Sequence, residues 1–376
     1  MKKIMICAGE VSGDMHASAV IQAMKQVDPN VSFYGVAGQS MQKQGCHVLH
    51  DIKELSVMGI TDVIYALPRL RRIMKFLLIW VDQEKPDLVI LVDYPGFNVR
   101  LGTALRKKGV KVLYYIAPKL WAWGSWRVKK LMGAQDTLAS ILPFESAWFA
   151  NHHIEATYVG NPSVQSCRQG WTRQDLCEKY QLNKDERLVA LLPGSRAGEL
   201  KRHIPLLAET LMSLQKKHPR IQCVVPQAPS SDVLLFAPLL DLGVTLIPRQ
   251  QENFALPVDA AIAVSGTATL ELALWSVPTV LVYKSSALSM AIGRRLVQLK
   301  CVGLANIILG DRPVMPELWQ EAATVENILY DFLPLLEDSD ERRLMLQSLQ
   351  ALKSMLGESN PAEAVARLAQ EMWVDN

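Results

Sequence analysis

The chain alternates between short apolar runs and longer stretches in which apolar residues recur with helical spacing. In the first half the apolar runs lie at Lys3–Ala8, Val31–Val36, Asp87–Val92, Val110–Ile116 and Thr137–Leu142. In the second half they lie at Leu188–Leu192, Ile221–Pro226, Val244–Ile247, Ala260–Val264 and Thr279–Tyr283. Continuous apolar strands that alternate with helices predict parallel sheets with helices on both faces. We therefore predict an α/β fold with two Rossmann-like domains.

Chain length sets the expected number of domains. At 376 residues the chain is too long for one ordinary hydrophobic core. Hydrophobic residues make up 49% of the sequence and charged residues 20%, which is typical of a globular protein. We place a first Rossmann-like domain at residues 1–165 and a second at 166–345. Residues 346–376 are predicted to form closing helices that could cross back to the first domain.

Charge and cysteine usage exclude several classes of partner. The net charge is only +3 and no basic tract with interleaved aromatic residues occurs, so we expect no nucleic-acid binding. The six cysteines are scattered without a CxxC pair, and His152-His153 lacks further ligands at metal-binding spacing. We therefore predict neither a metal site nor a cofactor. The longest apolar segment, Met74–Val81, is far shorter than the roughly 20 residues of a membrane-spanning helix, so we expect that nothing crosses a bilayer and that the protein is soluble or peripheral. The scattered cysteines are expected to be reduced thiols of a cytosolic chain.

The strongest chemical signal lies in the stretch Asp259–Leu274. An apolar strand, Asp259–Val264, is followed by the break Ser265-Gly266-Thr267 and then by the helical segment Ala268–Leu274. The first N–H groups of such a helix have no internal partner and favour an anion, most plausibly phosphate. Glu271, one turn further, could accept hydrogen bonds from a sugar, so a nucleotide would fit. A plain Rossmann-type turn with a solvated Glu271 is the alternative.

A second anion loop follows the strand Leu188–Leu192. Pro193-Gly194-Ser195-Arg196 forms a turn there, before the helical segment Glu199–Lys217. The arginine could hold a phosphate group through a planar fork of N–H donors. The sequence therefore predicts two phosphate-binding loops in the second domain.

In the first domain, polar residues follow two apolar strands. The loop after the first strand contains Glu10, Ser12 and Asp14, and it is not the GxGxxG fingerprint of dinucleotide-binding proteins. Asp93 follows the apolar strand Asp87–Val92. Because ligands of parallel sheets bind beyond the carboxyl ends of the strands, a rigid carboxylate at that position suits a general base. A helix N-cap or a turn aspartate is the alternative.

Trp121 and Trp123 lie two residues apart in a loop that contains Pro118. Large aromatic rings in a loop are unfavourable in water, so each ring must pack on something. The sequence leaves open whether the rings pack on the core or on a ligand.

Two segments mix cations with apolar residues. They are Leu67–Val81, with Arg69, Arg71, Arg72 and Lys75, and Ser286–Lys300. A packing helix with a cationic outer face is one interpretation. An interfacial helix, with apolar residues in the acyl region and cations on lipid phosphates, is the other.

A series of motifs, in this order, resembles the lipid-A-disaccharide synthase family. The motifs are Gly9–Asp14, Val57-Met58-Gly59, Asp93–Asn98, Pro118–Trp123, Pro143-Phe144-Glu145, Leu192–Arg196, Ser265–Glu271 and the Asn306 segment. The resemblance implies the GT-B arrangement, in which two Rossmann-like domains face a cleft. Two departures matter. Many family members carry His at the position of Asn161 and Asp at the position of Gly96, which leaves Asp93 as the stronger acidic candidate in its loop.

The resemblance also implies a reaction, an inverting glycosyl transfer without metal or cofactor. UDP-2,3-diacylglucosamine and 2,3-diacylglucosamine 1-phosphate would give the β-1,6-linked disaccharide 1-phosphate and UDP. Asp93 would be the general base, with Glu10 and Asp14 as further catalytic candidates. The implied substrate-binding residues are Ser12, Gly13, Met58, Asn98, Trp121, Trp123, Pro193, Gly194, Ser195, Arg196, Ser265, Gly266, Thr267, Glu271 and Asn306.

The acylated substrates imply peripheral association with the cytoplasmic surface of the inner membrane. A homodimer is a further expectation for this chain. Another GT-B enzyme that uses UDP-N-acetylglucosamine, a 2-epimerase or a lipid-linked N-acetylglucosaminyltransferase, is the alternative enzyme. A nucleotide-sugar binding or regulatory protein is the alternative outside enzymes. The presence of Asp93, Glu10 and Arg196 argues against that last interpretation.

Overall fold

The computed structural model describes residues 2–55, 60–167, 170–228, 231–249, 256–285 and 299–374, without the side chains of residues 60–64, 123, 267 and 374. The chain divides into two compact units. Unit one consists of Met1–Pro162 with Glu358–Asn376, and unit two consists of Ser163–Gly357. The chain thus changes unit after residues 162 and 357, whereas the sequence analysis placed boundaries after 165 and 345. Met58 lies outside the described residues.

A parallel sheet forms the centre of unit one. Its strands within the described residues are β1 (Lys3–Ala8), β2 (Ser32–Ala37), β3 (Cys46–Asp51), β4 (Leu88–Val92), β5 (Val112–Tyr115), β6 (Thr137–Ser140) and β7 (Ala156–Tyr158). The strands lie in the order β3-β2-β1-β4-β5-β6-β7. Apart from Lys3 at the start of β1, the central strands β1 and β4 are apolar and almost completely buried, as a sheet covered on both faces requires.

Helices connect these strands. They are α1 (Val11–Val27), α2 (Gln39–Lys43), α3 (Ile60–Glu84), α4 (Pro95–Arg106), α5 (Leu120–Trp123), α6 (Val128–Met132) and α7 (Glu145–Ala150), followed by α8 (Pro162–Ser166) at the change of unit. Short 3₁₀ turns lie at Ile52–Glu54 and Ser125–Arg127. α1 buries Ala17, Val20 and Met24, because residues at this spacing lie on one face of a helix.

Unit two repeats this design around a second parallel sheet. Its strands within the described residues are β8 (Leu188–Leu192), β9 (Gln222–Gln227), β10 (Thr245–Pro248), β11 (Ala260–Val264), β12 (Thr279–Tyr283) and β13 (Glu317–Trp319), in the order β10-β9-β8-β11-β12-β13. Its helices are α9 (Arg173–Tyr180), α10 (Ala197–Lys217), α11 (Ala237–Leu240), α12 (Thr267–Leu274), α13 (Leu304–Ile308), α14 (Val325–Leu336) and α15 (Asp340–Leu356), with 3₁₀ turns at Val233–Phe236 and Gln320–Ala322.

The last helix, α16 (Pro361–Val374), returns to unit one and packs against α1. Val365, Ala366 and Ala369 are buried in the core of that unit. Lys111 Nζ also donates to the Met372 carbonyl at 2.6 Å, beside the start of β5. Of the predicted closing helices, α16 therefore belongs to unit one and α15 to unit two.

Each sheet has a point where the strand order reverses. β1 lies between β2 and β4, and β8 lies between β9 and β11. Ligands of such sheets bind beyond the carboxyl ends of the strands at this point. The loops after β1 and β4 contain Glu10 and Asp93, and the loops after β8 and β11 contain Arg196 and Gly266. The topology therefore brings the predicted polar loops together in pairs, one pair in each unit.

Candidate active site

Asp93 lies immediately after β4 in a constrained backbone. Asp93 and Tyr94 both have a φ of +48°, a left-handed conformation that costs non-glycine residues about 1–3 kcal/mol each. Two donors hold this turn: Tyr114 Oη donates to the Asp93 carbonyl at 2.7 Å, and Asn98 Nδ2 donates to it at 2.9 Å. The Asp93 N–H also donates to the Tyr115 carbonyl at 2.9 Å. The backbone that carries this carboxylate is therefore fixed by its neighbours.

Tyr94 joins the loop after β4 to the loop after β1. Its hydroxyl donates to the Leu55 carbonyl at 2.6 Å, and its ring covers Gly9. A Cβ at Gly9 would come within 2.1 Å of Tyr94 Cγ, which explains why glycine opens the Gly9–Asp14 motif. The two loops that carry Glu10 and Asp93 are thus packed together.

The electrostatic environment of Asp93 suits a base. Burial raises the pKa of its carboxyl group above the ordinary value, and the negative charge of Glu10 raises it further. The charge of Lys119 and the N–H of Tyr94 oppose this rise. Glu10 itself is exposed, and its carboxylate accepts a hydrogen bond of 3.0 Å from the Ser12 hydroxyl. A carboxylate with a raised pKa holds an abstracted proton better than an ordinary aspartate does.

Asp14, the third predicted catalytic residue, has a structural role instead. Its side chain is only 2% exposed and accepts hydrogen bonds from the N–H groups of Gly38, Ser40 and Met41 at 2.7, 2.8 and 3.2 Å. Three donors at the start of α2 occupy the carboxylate, so its geometry argues against proton abstraction. Gly13 is buried one position earlier, and a Cβ there would contact Ala8 at 3.4 Å.

Two further predicted binding residues of unit one are internal. Asn98 is buried, and its amide donates to the carbonyl groups of Val92 and Asp93, so it positions the turn. Trp121 is also buried, with its ring edge-to-face against Phe144 at 4.9 Å between centroids. Trp121 therefore packs on the core. The Trp123 side chain lies outside the description.

Glu145 holds Trp121 in place. Its carboxylate accepts a hydrogen bond of 2.9 Å from Trp121 Nε1 and bonds of 3.2 and 3.1 Å from the N–H groups of Ile141 and Leu142. Burial is the dominant influence and raises the pKa of this carboxyl group to about 7. The three hydrogen bonds and the charge of Lys119 act in the opposite direction but do not overcome it.

A cavity of about 300 Å³ opens beside the Asp93 turn, and we name it the basic cavity. Its lining combines apolar side chains with four cations: Pro95, Gly96, Val99, Arg100, Pro118, Lys119, Leu120, Trp126, Arg127, Lys130 and Leu131. Trp126 is 66% exposed, with the Arg127 guanidinium 4.7 Å and Lys130 Nζ 5.8 Å from the ring centroid. In this loop region Trp126, rather than Trp121, therefore offers an accessible aromatic surface.

In unit two, the chain's own carboxylate occupies the loop Pro193–Arg196. Glu199 Oε2 accepts hydrogen bonds from the N–H groups of Ser195 and Arg196 at 3.1 and 3.2 Å. Gly194 has a φ of +100°, and a Cβ there would come within 2.7 Å of the same oxygen. The Arg196 guanidinium is 85% exposed and lies 3.1 Å from Glu199 Oε1. The loop thus does hold an anion, and that anion is internal.

The turn after β11 has the predicted strand–turn–helix form. Gly266 precedes α12, and a Cβ added to it would have no heavy atom of the described residues within 4 Å, so these residues leave the approach to its backbone open. The Ser265 hydroxyl donates to the Val302 carbonyl at 3.5 Å, whereas the Thr267 side chain lies outside the description. Among the described side chains, none caps this helix. A free helix N-terminus favours an anion.

Glu271 is paired rather than solvated. Arg249 Nη2 donates to both carboxylate oxygens, at 2.7 and 2.5 Å. Burial raises the pKa of Glu271, and the charge of Arg249 opposes that rise. The solvated Glu271 of the alternative interpretation is therefore wrong.

Asn306 is a structural residue. It is fully buried, and its amide donates to the Met315 carbonyl and to Glu317 Oε1, both at 2.8 Å. Its own oxygen accepts the Met315 N–H at 2.8 Å. We therefore do not carry Asn306 forward as a substrate-binding residue.

The sequence analysis missed Tyr114, Lys119, Arg249 and the role of Glu145. Lys119 and Glu145 belong to motifs that were noticed, so proximity to Asp93 and Trp121 could have identified them. Tyr114 lies within an apolar strand, where its sequence signal is that of a core residue. Nothing in the sequence connects Arg249 with Glu271.

Solved structures with the same pair of units define the fold class. UDP-GlcNAc 2-epimerase from Neisseria meningitidis, bound to UDP-GlcNAc, is similar with a TM-score of 0.63 and 13% identity, covering 100% of each chain. MurG from Acinetobacter baumannii is similar with a TM-score of 0.57 and 16% identity, covering 99% of this chain and 100% of that one. The two Rossmann-like units are therefore of the GT-B type, and the predicted fold class is confirmed. At these identities the likeness concerns the fold alone and does not favour the epimerase alternative.

Sequence comparison then identifies the family. The family model for lipid-A-disaccharide synthetase matches residues 4–370. The lipid-A-disaccharide synthase of Geobacter sulfurreducens is 36% identical over 373 residues, covering 98% of this chain and 97% of that protein. The enzyme of that name from Nitrosococcus oceani is 37% identical over 357 residues, covering 94% and 92%. The chain belongs to the lipid-A-disaccharide synthase family and is a glycosyltransferase, as the motifs predicted.

Proposed function

We propose that the chain transfers the acylated glucosaminyl group of UDP-2,3-diacylglucosamine to O6 of 2,3-diacylglucosamine 1-phosphate. The products are the β-1,6-linked disaccharide 1-phosphate and UDP. Family membership supports the type of reaction. The observation that carries the residue assignment is the Asp93 turn, a rigid, partly buried carboxylate at the switch point of unit one.

In the proposed mechanism Asp93 removes the proton from the acceptor O6. The new bond forms between O6 and the anomeric carbon of the donor, while the bond from that carbon to the diphosphate oxygen breaks. The proton moves to Asp93, and the bonding electron pair leaves with UDP. A single displacement inverts the anomeric carbon. The raised pKa of Asp93 supports this role, and Glu10 contributes as the charge that helps to raise it.

In this proposal, residues of unit two stabilise the leaving group. The open N-terminus of α12 at Ser265-Gly266-Thr267 and the exposed Arg196 guanidinium would stabilise the negative charge on departing UDP. Glu271 would accept hydrogen bonds from the nucleotide sugar, and the charge of Arg249 favours its ionised form. Because Glu199 occupies the N–H groups of Ser195 and Arg196, a phosphate that used those groups would have to displace it.

The test is an assay that measures UDP release and product mass together. With both acylated substrates, we expect UDP and disaccharide 1-phosphate in equal amounts; without the acceptor, we expect almost no UDP. A parallel reaction with UDP-N-acetylglucosamine as the only substrate tests epimerisation. Release of UDP without disaccharide, or epimerisation of UDP-N-acetylglucosamine, would contradict the proposal.

We further infer that α3 attaches the protein to the cytoplasmic surface of the inner membrane. Ile73, Leu77 and Val81 face the core, which is the packing that the first interpretation of Leu67–Val81 predicts. The opposite face nevertheless exposes Tyr65, Phe76 and Ile79, which are 85%, 43% and 46% exposed, among the cations predicted for this segment. This mixture supports an interfacial helix. The second basic segment, Ser286–Lys300, lies outside the described residues apart from its last two positions.

Co-sedimentation with liposomes tests this inference. No helix within the described residues has the length and apolar character to cross a membrane. We expect the parent to bind vesicles that contain phosphatidylglycerol and an Arg71→Glu/Arg72→Glu variant to bind less, because each cation near an anionic surface contributes about 1 kcal/mol. Lys107→Glu, an exposed change on another element, is the control. Equal binding of parent and variant would reject α3 as the contact. The homodimer also stays a prediction.

A further inference from the structure

The charged residues in the described lining of the basic cavity are all cations. Arg100 from α4, Lys119 from the loop after β5, and Arg127 and Lys130 around α6 all line it, whereas the described lining contains no Asp or Glu. Arg100, Lys119 and Lys130 form no salt bridge with a described carboxylate, since none has a side-chain nitrogen within 4.0 Å of a carboxylate oxygen. Like charges that converge on a small cavity repel each other, so a bound anion would stabilise this arrangement.

Other cations of unit one show that this arrangement is particular to the cavity. Lys3 pairs with Glu84 at 2.7 Å, Lys108 with Asp82 at 2.7 Å, and Arg106 with Asp136 at 2.8 Å. These pairs lie on surfaces away from the carboxyl edge of the sheet. Arg100 and Lys130, at the edge that carries Asp93, therefore lack the described carboxylate partner that each of these three cations has.

The apolar part of the lining restricts the kinds of ligand that the cavity could bind. Val99, Leu120 and Leu131 form part of the wall, and the Trp126 ring stands exposed beside Arg127 and Lys130. A phosphate group would meet the cations, and a sugar face or an acyl chain would meet the apolar side chains. The volume of about 300 Å³ corresponds to the lower end of small-molecule sites, which suits a sugar phosphate head group.

The position of the basic cavity indicates which of the two substrates binds there. Pro95 and Gly96 follow Asp93 by two and three residues and line the cavity, and the charge of Lys119 acts on the Asp93 carboxyl group. A molecule in the cavity is therefore adjacent to the proposed base, which must contact the acceptor. We propose that the basic cavity binds the 1-phosphate of the acylated acceptor, an assignment that rests on the proposed function. A phosphate beside Lys119 would also screen its positive charge from Asp93 and leave Asp93 a stronger base.

The experiment compares an Arg100→Ala/Lys130→Ala variant with a Lys129→Ala control. Lys129 is exposed on α6 and does not line the cavity. For 2,3-diacylglucosamine 1-phosphate in detergent, we expect the double variant to raise the acceptor KM about tenfold or more, because charge-assisted hydrogen bonds are lost. The donor KM should not change. For the same acceptor without its phosphate, parent and variant should have equal KM values.

Calorimetric titration with the phosphorylated acceptor, in the absence of donor, separates this proposal from the proposed function. Weaker binding by the double variant supports the cavity assignment even if the parent forms no disaccharide, in which case the proposed function fails alone. Equal loss with the phosphorylated and dephosphorylated acceptors would overturn the assignment. The assignment would also be overturned if the double variant changed only the donor KM, or only the binding to phosphatidylglycerol vesicles. Circular dichroism of all variants verifies that they are folded.

Discussion

The carboxyl edges of the two sheets carry similar groups but balance their charges differently. In unit one, Arg100 and Lys130 line the basic cavity without a salt bridge to any described carboxylate. In unit two, two cations at this edge pair with internal acids: Arg196 lies 3.1 Å from Glu199, and Arg249 lies 2.7 Å from Glu271. Arg196 and Arg249 are therefore compensated, whereas Arg100 and Lys130 have no salt bridge among the described residues.

This difference implies two ways of binding an anion. In unit one a phosphate could contact Arg100 and Lys130 without displacing a described carboxylate from either. In unit two a phosphate at the Pro193–Arg196 loop would exchange with Glu199, so part of its interaction energy would be offset by the lost internal contacts. We therefore expect substitutions in unit one to act on the acceptor and on catalysis, and those in unit two to act on the nucleotide.

The largest expected effect is that of Asp93→Asn. The substitution keeps the size of the side chain but removes the proposed base, so kcat should fall by about 10²–10⁴-fold. UDP binding, measured by calorimetry, should not change because the nucleotide belongs to unit two in our proposal. Asp82→Asn, which alters an exposed acid paired with Lys108, is the control and should retain activity. Near-normal turnover of the Asp93 variant would remove Asp93 from the mechanism.

Arg196→Ala tests the unit-two side of the comparison. Because the side chain is 85% exposed and its ion pair with Glu199 is a surface contact, we expect little loss of folding stability. The donor KM should rise about tenfold through the loss of charge-assisted contacts, and the acceptor KM should not. Arg196→Lys should recover part of the loss, because a point charge replaces a planar fork.

Lys201→Ala, an exposed change in α10, the helix that follows Arg196, is the control. If Arg196→Ala, Arg196→Lys and the control all behave like the parent, then Pro193–Arg196 is only a turn that Glu199 caps. The two units would then differ more than we propose, with nucleotide binding left to the turn after β11.

Glu10→Gln examines the electrostatics around Asp93. Asp93 must be deprotonated to act, so activity rises as pH increases through its pKa. The negative charge of Glu10 raises that pKa, and removing the charge should move the acidic limb of the pH–rate profile to lower pH. The plateau activity should stay within a few-fold of the parent. Loss of activity at every pH would instead make Glu10 the base, and Ser12→Ala serves as the control for the hydrogen bond between them.

The sequence predicted the central strands well and missed strands at the sheet edges. Strands β1, β8, β11 and β12 match their predicted apolar runs, because strands covered on both faces need continuous apolar residues. The strands without a prediction, β3, β7 and β13, all lie at an edge. β3 contains exposed polar residues and β7 is only half-buried, so neither has a continuous apolar pattern.

For the site, order along the chain predicted which loops would meet but not what each side chain would contact. Asp93 and the Ser265-Gly266-Thr267 turn lie at strand ends, and that position follows from the strand pattern alone. The role of Asp14 depends on N–H groups more than twenty residues away, at Gly38 and Met41. The burial of Trp121 likewise depends on Glu145. Such partnerships form only when the loops fold together, so sequence spacing does not reveal them.

The last expected effect concerns folding stability rather than activity, and it compares two buried carboxyl groups, one in each unit. Glu271 has a cationic partner in Arg249, whereas Glu145 accepts hydrogen bonds only from uncharged N–H groups among the described residues. The pKa of Glu145 is about 7 in the folded protein against an ordinary value of 4.5. Between these pH values the folded state binds a proton that the unfolded state has released. Stability from this group is therefore fully present below pH 4.5 and is lost as pH rises towards 7.

Glu145→Gln should remove this pH dependence, which amounts to about 3 kcal/mol for a shift of this size in a buried group. The amide cannot accept from Trp121 and from both loop N–H groups at once, so the variant should also be less stable at low pH. Urea denaturation at pH 5 and pH 7 measures both effects. We expect the gap between parent and variant to narrow as pH rises, because only the parent loses stability over this range. Glu271→Gln provides the comparison in unit two, where Arg249 would lose its partner at both pH values. A gap for Glu145→Gln that stays constant between pH 5 and pH 7 would show that Glu145 is ionised throughout, and that the hydrogen bonds from Trp121 and the loop replace a cationic partner as effectively as Arg249 does.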